Sequence, residues 1–166
     1  MKVALCFIIS YEHILNKEEL WKQWIKPNED IINVYFHYKN INYVKSQWIR
    51  ERCIPQDLVV NTSYFHVVPA YLMVMSYAFK HDNKNQWFCL LTDSCVPIIT
   101  PHSFREKFLN NFDKSILRWK SAYWNVNVQK RANLLKLKSN LHLANDPWFI
   151  LKRLDVDRCI KYMVFK

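Results

Sequence analysis

Residues 90–98 read Leu-Leu-Thr-Asp-Ser-Cys-Val-Pro-Ile. An apolar run breaks on an acid set between two hydroxyls, resumes beside a thiol and stops at Pro97. Three chemistries fit such a break. A metal site would draw on Asp93, Cys95 and His102, but their spacing matches no established zinc or iron pattern. A cysteine nucleophile at Cys95 needs a partner histidine and an orienting group, and none of the six histidines sits in a recognisable signature. The third chemistry is a polar loop at a strand end that contacts a substrate through Thr92, Asp93 and Ser94.

Two further polar stretches follow apolar runs in the same way. Ser10-Tyr11-Glu12-His13 follows "KVALCFII", and His37-Tyr38-Lys39 closes "IINVYF". In an open α/β sheet, ligands collect at the carboxyl ends of strands near a topological switch point. Three polar strand ends are compatible with one shared crevice. Asp155-Val156-Asp157 has the D-x-D form of a metal-binding pair. It opens a predicted helix instead of closing a strand, however, and two acids in a first turn complement the helix dipole.

The elements that must position these residues are legible as periodicities. Val3–Ile9 is a continuous apolar run of strand length, suited to burial on both faces of a parallel sheet. "KEELWKQWI" (17–25) has helical spacing, with Leu20, Trp21, Trp24 and Ile25 on one face, and Pro27-Asn28 ends it. "IINVYFHYK" (31–39) predicts a second strand, and Asp57–Val60 is a short strand candidate. "VVPAYLMVMSYAFKH" (67–81) predicts a helix with Pro69 in its first turn and a stripe of Val68, Leu72, Met75 and Phe79. "QWFCLLT" (86–92) is the next strand. Thr100-Pro101 marks an N-cap with proline at the first helical position, followed by Phe104, Phe108 and Phe112 at four-residue spacing. Region 115–147 has no clean period, with a helix expected around 128–141. The end of the chain predicts a strand at 148–151 and a helix near 155–163. Strands alternating with helices predict a single α/β domain over residues 1–166 with a mostly parallel, Rossmann-like sheet.

Composition excludes several functions. The chain of 166 residues contains no glycine, where an average composition of ~7% would supply about 12. Dinucleotide-binding, Walker A and kinase phosphate loops all need glycine for close backbone approach, so none is present. Abundant Lys, Asn, Ile and Tyr suggest an A/T-rich, even viral, genome. The formal net charge is +10, and the excess is local. Residues 1–104 hold ten Lys/Arg against nine Asp/Glu, residues 105–138 nine against two, and residues 139–166 five against three. A basic segment suits an anionic partner. Five cysteines with no C-x-x-C pair indicate reduced thiols and neither a zinc framework nor a disulfide scaffold. No apolar segment reaches the ~18 residues of a spanning helix, and the first strand lacks a signal-peptide cleavage site. The expected location is cytoplasmic, that of the host if the source is viral, in preference to the secretory pathway.

Taken as a whole, "WFCLLTDSCVPIITPHSFREKF" (87–108) resembles the core-2/I-branching glycosyltransferases. It is closest to the plant-type subgroup, in which an apolar strand runs into Leu-Ser-Glu-Ser-Cys-Ile-Pro-Leu and then a helix. Thr92 stands for the serine and Asp93 for the glutamate, while Ser94, Cys95 and Pro97 match directly. "KVALCFIIS", "VYFHYK" with His37, "SYFHVVPAYLMVMSYAF" and "DPWFILKR" with Trp148, Phe149, Leu151 and Arg153 follow in the family's order. The resemblance implies a GT-A-like α/β fold. It also implies inverting, metal-independent transfer of a sugar, typically N-acetylglucosamine from its UDP donor, to a glycan acceptor. The resemblance therefore implies no cofactor, and the leaving diphosphate would be stabilised by Arg and Lys. The crevice residues so implied are Ser10, Tyr11, His37, Thr92, Asp93, Ser94 and Trp148. Arg118, Lys120 and Arg131 are candidate diphosphate contacts.

The sequence departs from the family in two places. Lys39 replaces the second-strand Asp that contacts the nucleotide. The family's catalytic glutamate lies beyond the Trp-Phe-x-Leu-x-Arg element, and no carboxylate of this sequence takes its place, so the catalytic residue is unassigned and the chain is expected to be short at its C-terminal side. Two other readings stay open: a sugar- or partner-binding protein that keeps the fold without turnover, and a basic nucleic-acid-binding module; under the transferase reading a partner chain is one source of the base. The latter rests on Trp119, Tyr123 and Trp124 beside Arg118 and Lys120, but the strand–helix alternation and the lack of a recognised motif make nucleic acid the less expected partner.

Overall fold

The structure, a computed structural model, describes residues 1–63, 67–121, 138, 140, 143–145 and 148–164. Its centre is a four-stranded sheet of β1 (Lys2–Ile8), β2 (Ile32–His37), β3 (Asn85–Thr92) and β6 (Ile150–Lys152), in the order β2-β1-β3-β6. The first three strands are parallel, and β6 runs antiparallel to β3. β4 (Trp119–Ser121) and β5 (Leu143–Asn145) form a separate antiparallel pair. The helices are α1 (Glu18–Ile25), the single turn α2 (Gln47–Arg50), α3 (Val68–His81), α4 (Pro101–Asn111) and α5 (Arg153–Val164). The mostly parallel α/β sheet expected from the strand–helix alternation is therefore present.

Helices cover both faces of the sheet, which is why its strands are apolar throughout. Val3, Ala4, Cys6 and Phe7 of β1 are wholly buried, as are Phe36 and Phe88. On one face Phe7 meets Trp21 of α1, Trp24 meets Phe104 of α4, and Trp87 meets Phe108. On the other, Tyr35 packs edge-on to Tyr77 of α3, and Phe79 of α3 lies against Phe88. Each such aromatic contributes roughly 1.5–3 kcal/mol by leaving water.

Several local expectations are corrected. In α1, Trp21, Trp24 and Ile25 are buried but Leu20 is exposed. The buried stripe of α3 is Ala70, Tyr71, Val74, Met75 and Ala78, whereas Val68 is exposed. The apolar surface of this helix is broad, so the spacing allowed more than one stripe. Asp57–Val60 is not a strand. Gln56–Leu58 is a 3-10 turn after Pro55, closed by bonds from Leu58 N–H to Pro55 O and Val59 N–H to Gln56 O. The last strand begins at Ile150 and the helix follows at once from Arg153. The helix expected around 128–141 falls outside the described residues, apart from Lys138 and Asn140.

Candidate functional site

The path of the chain creates the site. β1 leads through α1 to β2 on one side, and β2 leads through α3 back across β1 to β3 on the other. The direction of winding thus reverses between β1 and β3, whose carboxyl ends flank a switch point. Ser10 lies just beyond the end of β1, and Thr92-Asp93-Ser94 closes β3.

Asp93 ties these two ends together. Its N–H donates to Ile8 O at 3.2 Å, its carbonyl accepts from Asn16 N–H at 2.9 Å, and its Oδ2 accepts from Ser10 N–H at 2.8 Å. The second carboxylate oxygen has no protein partner among the described residues. Ser10 O accepts from His13 N–H at 3.1 Å, closing the turn in which Tyr11 is exposed. His13 then holds a positive φ of 57°, a conformation that costs a residue with a Cβ about 1–2 kcal/mol, and its Nε2 accepts from Asn40 N–H at 3.1 Å.

The Cys95 thiol is occupied within its own turn. Its Sγ accepts from Thr92 N–H at 3.3 Å and lies 3.3 Å from Thr92 Oγ1, which also meets Ser94 Oγ at 3.1 Å. Two tryptophans of α1 fix the following loop. Trp21 Nε1 donates to Cys95 O at 2.9 Å, and Trp24 Nε1 to Ile99 O at 2.7 Å. Thr100 caps α4 by accepting from Ser103 N–H at 3.1 Å, as its place before Pro101 predicts. Thr92, Asp93 and Ser94 therefore sit on a turn braced from both sides, with a packing role for Cys95. His102 lies on α4 beside Glu106, 3.6 Å away. Among the described residues no three His, Cys, Asp or Glu side chains group as metal ligands.

His37, at the end of β2, is completely buried. Its Nε2 accepts from Val60 N–H at 3.2 Å, which places the ring proton on Nδ1, and Nδ1 has no partner. Burial, reinforced by the Lys39 charge, lowers its pKa to about 4, so the ring is neutral at physiological pH. Lys39 turns aside, donating to Thr62 O at 3.2 Å. His37 is thus packed inside the fold at the end of β2, while Ser10, Tyr11 and the 92–94 turn lie at the carboxyl ends of β1 and β3.

Trp148 follows from the register of β6. Ile150 pairs with Cys89, and Leu90 N–H donates to Phe149 O at 3.0 Å. That places Trp148 level with Leu91, at the carboxyl end of β3, and it is half exposed. Ile116 pairs with Ile150 on the outer side of β6. From there the chain runs antiparallel to β6, carrying exposed Arg118 and Lys120 past the same end of the sheet. Arg131 lies outside the described residues.

The two remaining motifs have structural work. Arg153 spans α3 and β3. Its guanidinium donates to Asn85 O and Phe79 O, both at 3.1 Å, and stacks 3.8 Å over the Phe79 ring; burial lowers its pKa. Asp155 accepts from Ser115 Oγ at 2.6 Å and from Arg158 at 3.1 Å, and Asp157 pairs with Lys161 at 2.6 Å. The D-x-D acids are engaged within and beside their own helix.

The family model for the Core-2/I-Branching enzyme matches residues 4–164. The chain belongs to the core-2/I-branching enzyme family. The match runs from the first strand to the last helix and so takes in every strand end described above. This supports a glycosyltransferase-type domain of that branching family. Its fold is also similar to a solved structure titled 4-diphosphocytidyl-2C-methyl-D-erythritolsynthase from Anaerococcus prevotii DSM 20548. The TM-score is 0.51 at 10% identity, over 99% of this chain and 78% of that one. At such identity the likeness concerns the fold alone. No curated protein sequence matches this branching-enzyme chain. Among the described residues no helix is long and apolar enough to cross a membrane.

Three contributors to the site escape sequence reasoning. Asn16 holds Asp93, Trp21 holds Cys95 and Trp24 holds Ile99, each from 74 or more residues away, and only a paired-tryptophan helix hints at that role.

Proposed function

We propose that the carboxyl ends of β1 and β3 form a crevice that transfers a sugar, N-acetylglucosamine by family resemblance, from a UDP donor to a glycan acceptor with inversion and without a metal. The observation that carries the reading is the Asp93 bridge at the switch point between β1 and β3, where Ser10 N–H meets Oδ2 at 2.8 Å. One carboxylate oxygen holds the crevice together. The other, with the Ser94 and Thr92 hydroxyls, offers acceptors and donors to sugar hydroxyls. Tyr11 and Trp148 present exposed rings at the rim, and flat aromatic faces suit the apolar faces of a pyranose. His37 shapes the wall. Arg118, Lys120 and Arg131 belong to the basic segment and supply charge for the leaving diphosphate. Inversion requires displacement at the anomeric carbon, with UDP departing as the acceptor hydroxyl attacks and gives its proton to a carboxylate. No described side chain is assigned as that base.

The test is thermal stabilisation across a panel of UDP- and GDP-sugars, followed by a transfer assay with glycan acceptors. A shift with a UDP-sugar that Asp93→Ala removes supports the reading. Stabilisation without transfer to any acceptor assigns the chain to sugar-nucleotide binding alone. No shift with any donor overturns the proposal, and salt-dependent binding of single-stranded nucleic acid would replace it.

A further inference from the structure

A concavity lies along the outer edge of β2, away from the Asp93 turn. It has a volume of about 890 Å³ and is bordered by Lys22 and Lys26 on one side, Tyr77 and His81 on the other, and Trp48 and Arg52 at one end. Its floor is the strand edge itself. The β1 bonds fix which way the backbone points: Val3 N–H donates to Ile31 O at 2.7 Å and Ile9 N–H to His37 O at 3.0 Å. Odd-numbered residues of β2 therefore face β1, and even-numbered ones face outward.

Phe36 satisfies its outward groups. Its N–H donates to Arg52 O at 2.9 Å and its carbonyl accepts from Ile54 N–H at 2.9 Å, so Arg52–Ile54 is a fragment of a further parallel strand. Upstream of Arg52 the chain turns away into α2. Ile32 and Val34 are left with outward N–H and C=O groups that no described residue pairs, and both residues line the concavity. An unpaired strand edge is a template for another extended backbone.

We propose that this groove binds an extended peptide segment of another protein, which continues the Arg52–Ile54 fragment along β2 and pairs with Ile32 and Val34. The charge of the walls specifies its chemistry. Trp48 lies under two cations, Lys22 Nζ at 5.6 Å and the Arg52 guanidinium at 4.8 Å from its ring centroid. Lys22 is held by Glu18 and Glu19, and Arg52 by Glu51. Exposed Lys26 and Glu29 both border the groove and neither has an ion-pair partner among the described residues, so the incoming strand carries an acidic side chain for Lys26 and a basic one for Glu29. Side chains alternate in direction along a strand, so every second residue of the peptide would face the wall of Ile25, Lys26, Glu29 and Trp48, with aliphatic residues against Ile25 and Trp48 and the charged ones against Lys26 and Glu29, and the residues between would face Tyr77 and His81.

A second copy of this chain fits the groove less well. Its own β2 is flanked by the same ends of α1 and α3, so the walls meet before the strand edges do. The net charge of +10 adds repulsion between copies. A single extended strand has neither obstacle.

The test is selection of random linear peptides on the intact chain, with counter-selection on Val34→Pro. Proline removes an N–H that the sheet does not use and places its ring where the peptide would bind. Far-UV circular dichroism checks that the variant folds. Trp48→Ala is the second variant, which alters the wall and leaves the strand edge intact. The expected result is enrichment of peptides with alternating aliphatic residues, an acidic residue and a basic residue. A synthetic copy of an enriched peptide should bind Val34→Pro and Trp48→Ala at least about tenfold more weakly, since it loses a hydrogen bond or an anchor at each. It should also slow amide exchange at Ile32 and Val34 about tenfold or more. Lack of any enriched peptide, equal binding to both variants, or protection of Ile32 and Val34 by self-association alone overturns the proposal.

Discussion

Ser10 and Asp93, 83 residues apart in sequence, meet through a single bond, with Ser10 N–H on Asp93 Oδ2 at 2.8 Å. The strand order makes this contact possible. β1 and β3 lie side by side, with Ile8 opposite Thr92, so the first residues beyond each strand face one another. A backbone donor on a carboxylate is a charge-assisted bond, and such bonds are about twice as strong as neutral ones.

Replacing Asp93 tests both its structural and its binding role. Asp93→Ala should lower stability by about 1–2 kcal/mol, because Ser10 N–H loses its acceptor, and it should abolish stabilisation by a UDP-sugar. Asp93→Asn keeps an acceptor without the charge and should lose about half as much stability. Chemical denaturation with and without the nucleotide sugar reads both effects. An Asp93→Ala protein that keeps wild-type stability would show that the bridge contributes nothing.

His37 makes acid the weak side of this fold. Its imidazole is neutral when folded, with a pKa lowered from 6.5 to about 4 by burial and by the Lys39 charge. The unfolded chain binds a proton in that window and the folded chain does not, so stability falls as pH drops from 6.5 towards 4. Full protonation linkage amounts to about 3 kcal/mol. Asp30 and Asp82, whose pKa values lie below 3.8, act only at lower pH. His37→Gln keeps an acceptor for Val60 N–H and has no proton to gain. Denaturation midpoints at pH 7, 6, 5 and 4 should fall steeply for the wild type and more gently for His37→Gln; parallel slopes would refute the assignment.

The parts of this fold that were legible in the sequence are those where burial dictates residue type over a full element. Val3–Ile9 and Gln86–Thr92 are apolar because helices cover both faces, and Phe104 and Phe108 face the core because α4 lies flat against it. Thr100-Pro101 is a cap by its own chemistry. Asp57–Val60 misled because two adjacent valines read as strand, whereas Pro55 starts a turn and Arg52–Ile54 has already taken the β2 edge at Phe36. At the site, the sequence places Thr92-Asp93-Ser94 and Ser10 at strand ends. It cannot show that Asp93 bridges to Ser10, because that bond depends on which strand neighbours which. His37 illustrates the same limit, since its position is readable but its complete burial comes from residues far along the chain.

Trp21 offers a test of how firmly the 92–99 turn must be held. Its indole N–H donates to Cys95 O at 2.9 Å while its ring packs edge-on to Phe7. Trp21→Phe retains much of the ring packing and leaves the Cys95 carbonyl without that donor. The loss should be about 1–2 kcal/mol, combining one hydrogen bond and a smaller ring. If the turn forms the sugar-binding rim, nucleotide-sugar affinity should fall by more than stability alone explains, in a protein that is still fully folded at the assay temperature. Titration calorimetry of Trp21→Phe beside wild type measures this, and unchanged affinity would place the rim elsewhere.

Arg153 separates a structural arginine from a phosphate-binding one. Its planar fork reaches two carbonyls at once, Asn85 O on β3 and Phe79 O on α3, and its face covers the Phe79 ring at 3.8 Å. A lysine has no such fork and stacks poorly. Arg153→Lys should therefore cost about 1–2 kcal/mol, and Arg153→Ala more, since two carbonyls lose a charged donor and Phe79 loses its cover. Neither change should alter UDP affinity once measured below the unfolding transition, because both guanidinium contacts point into the protein. Lys120→Ala should do the reverse, weakening UDP binding with little change in the denaturation midpoint. If Arg153→Lys keeps full stability and loses UDP affinity, the guanidinium serves the diphosphate and the α3–β3 bridge is incidental.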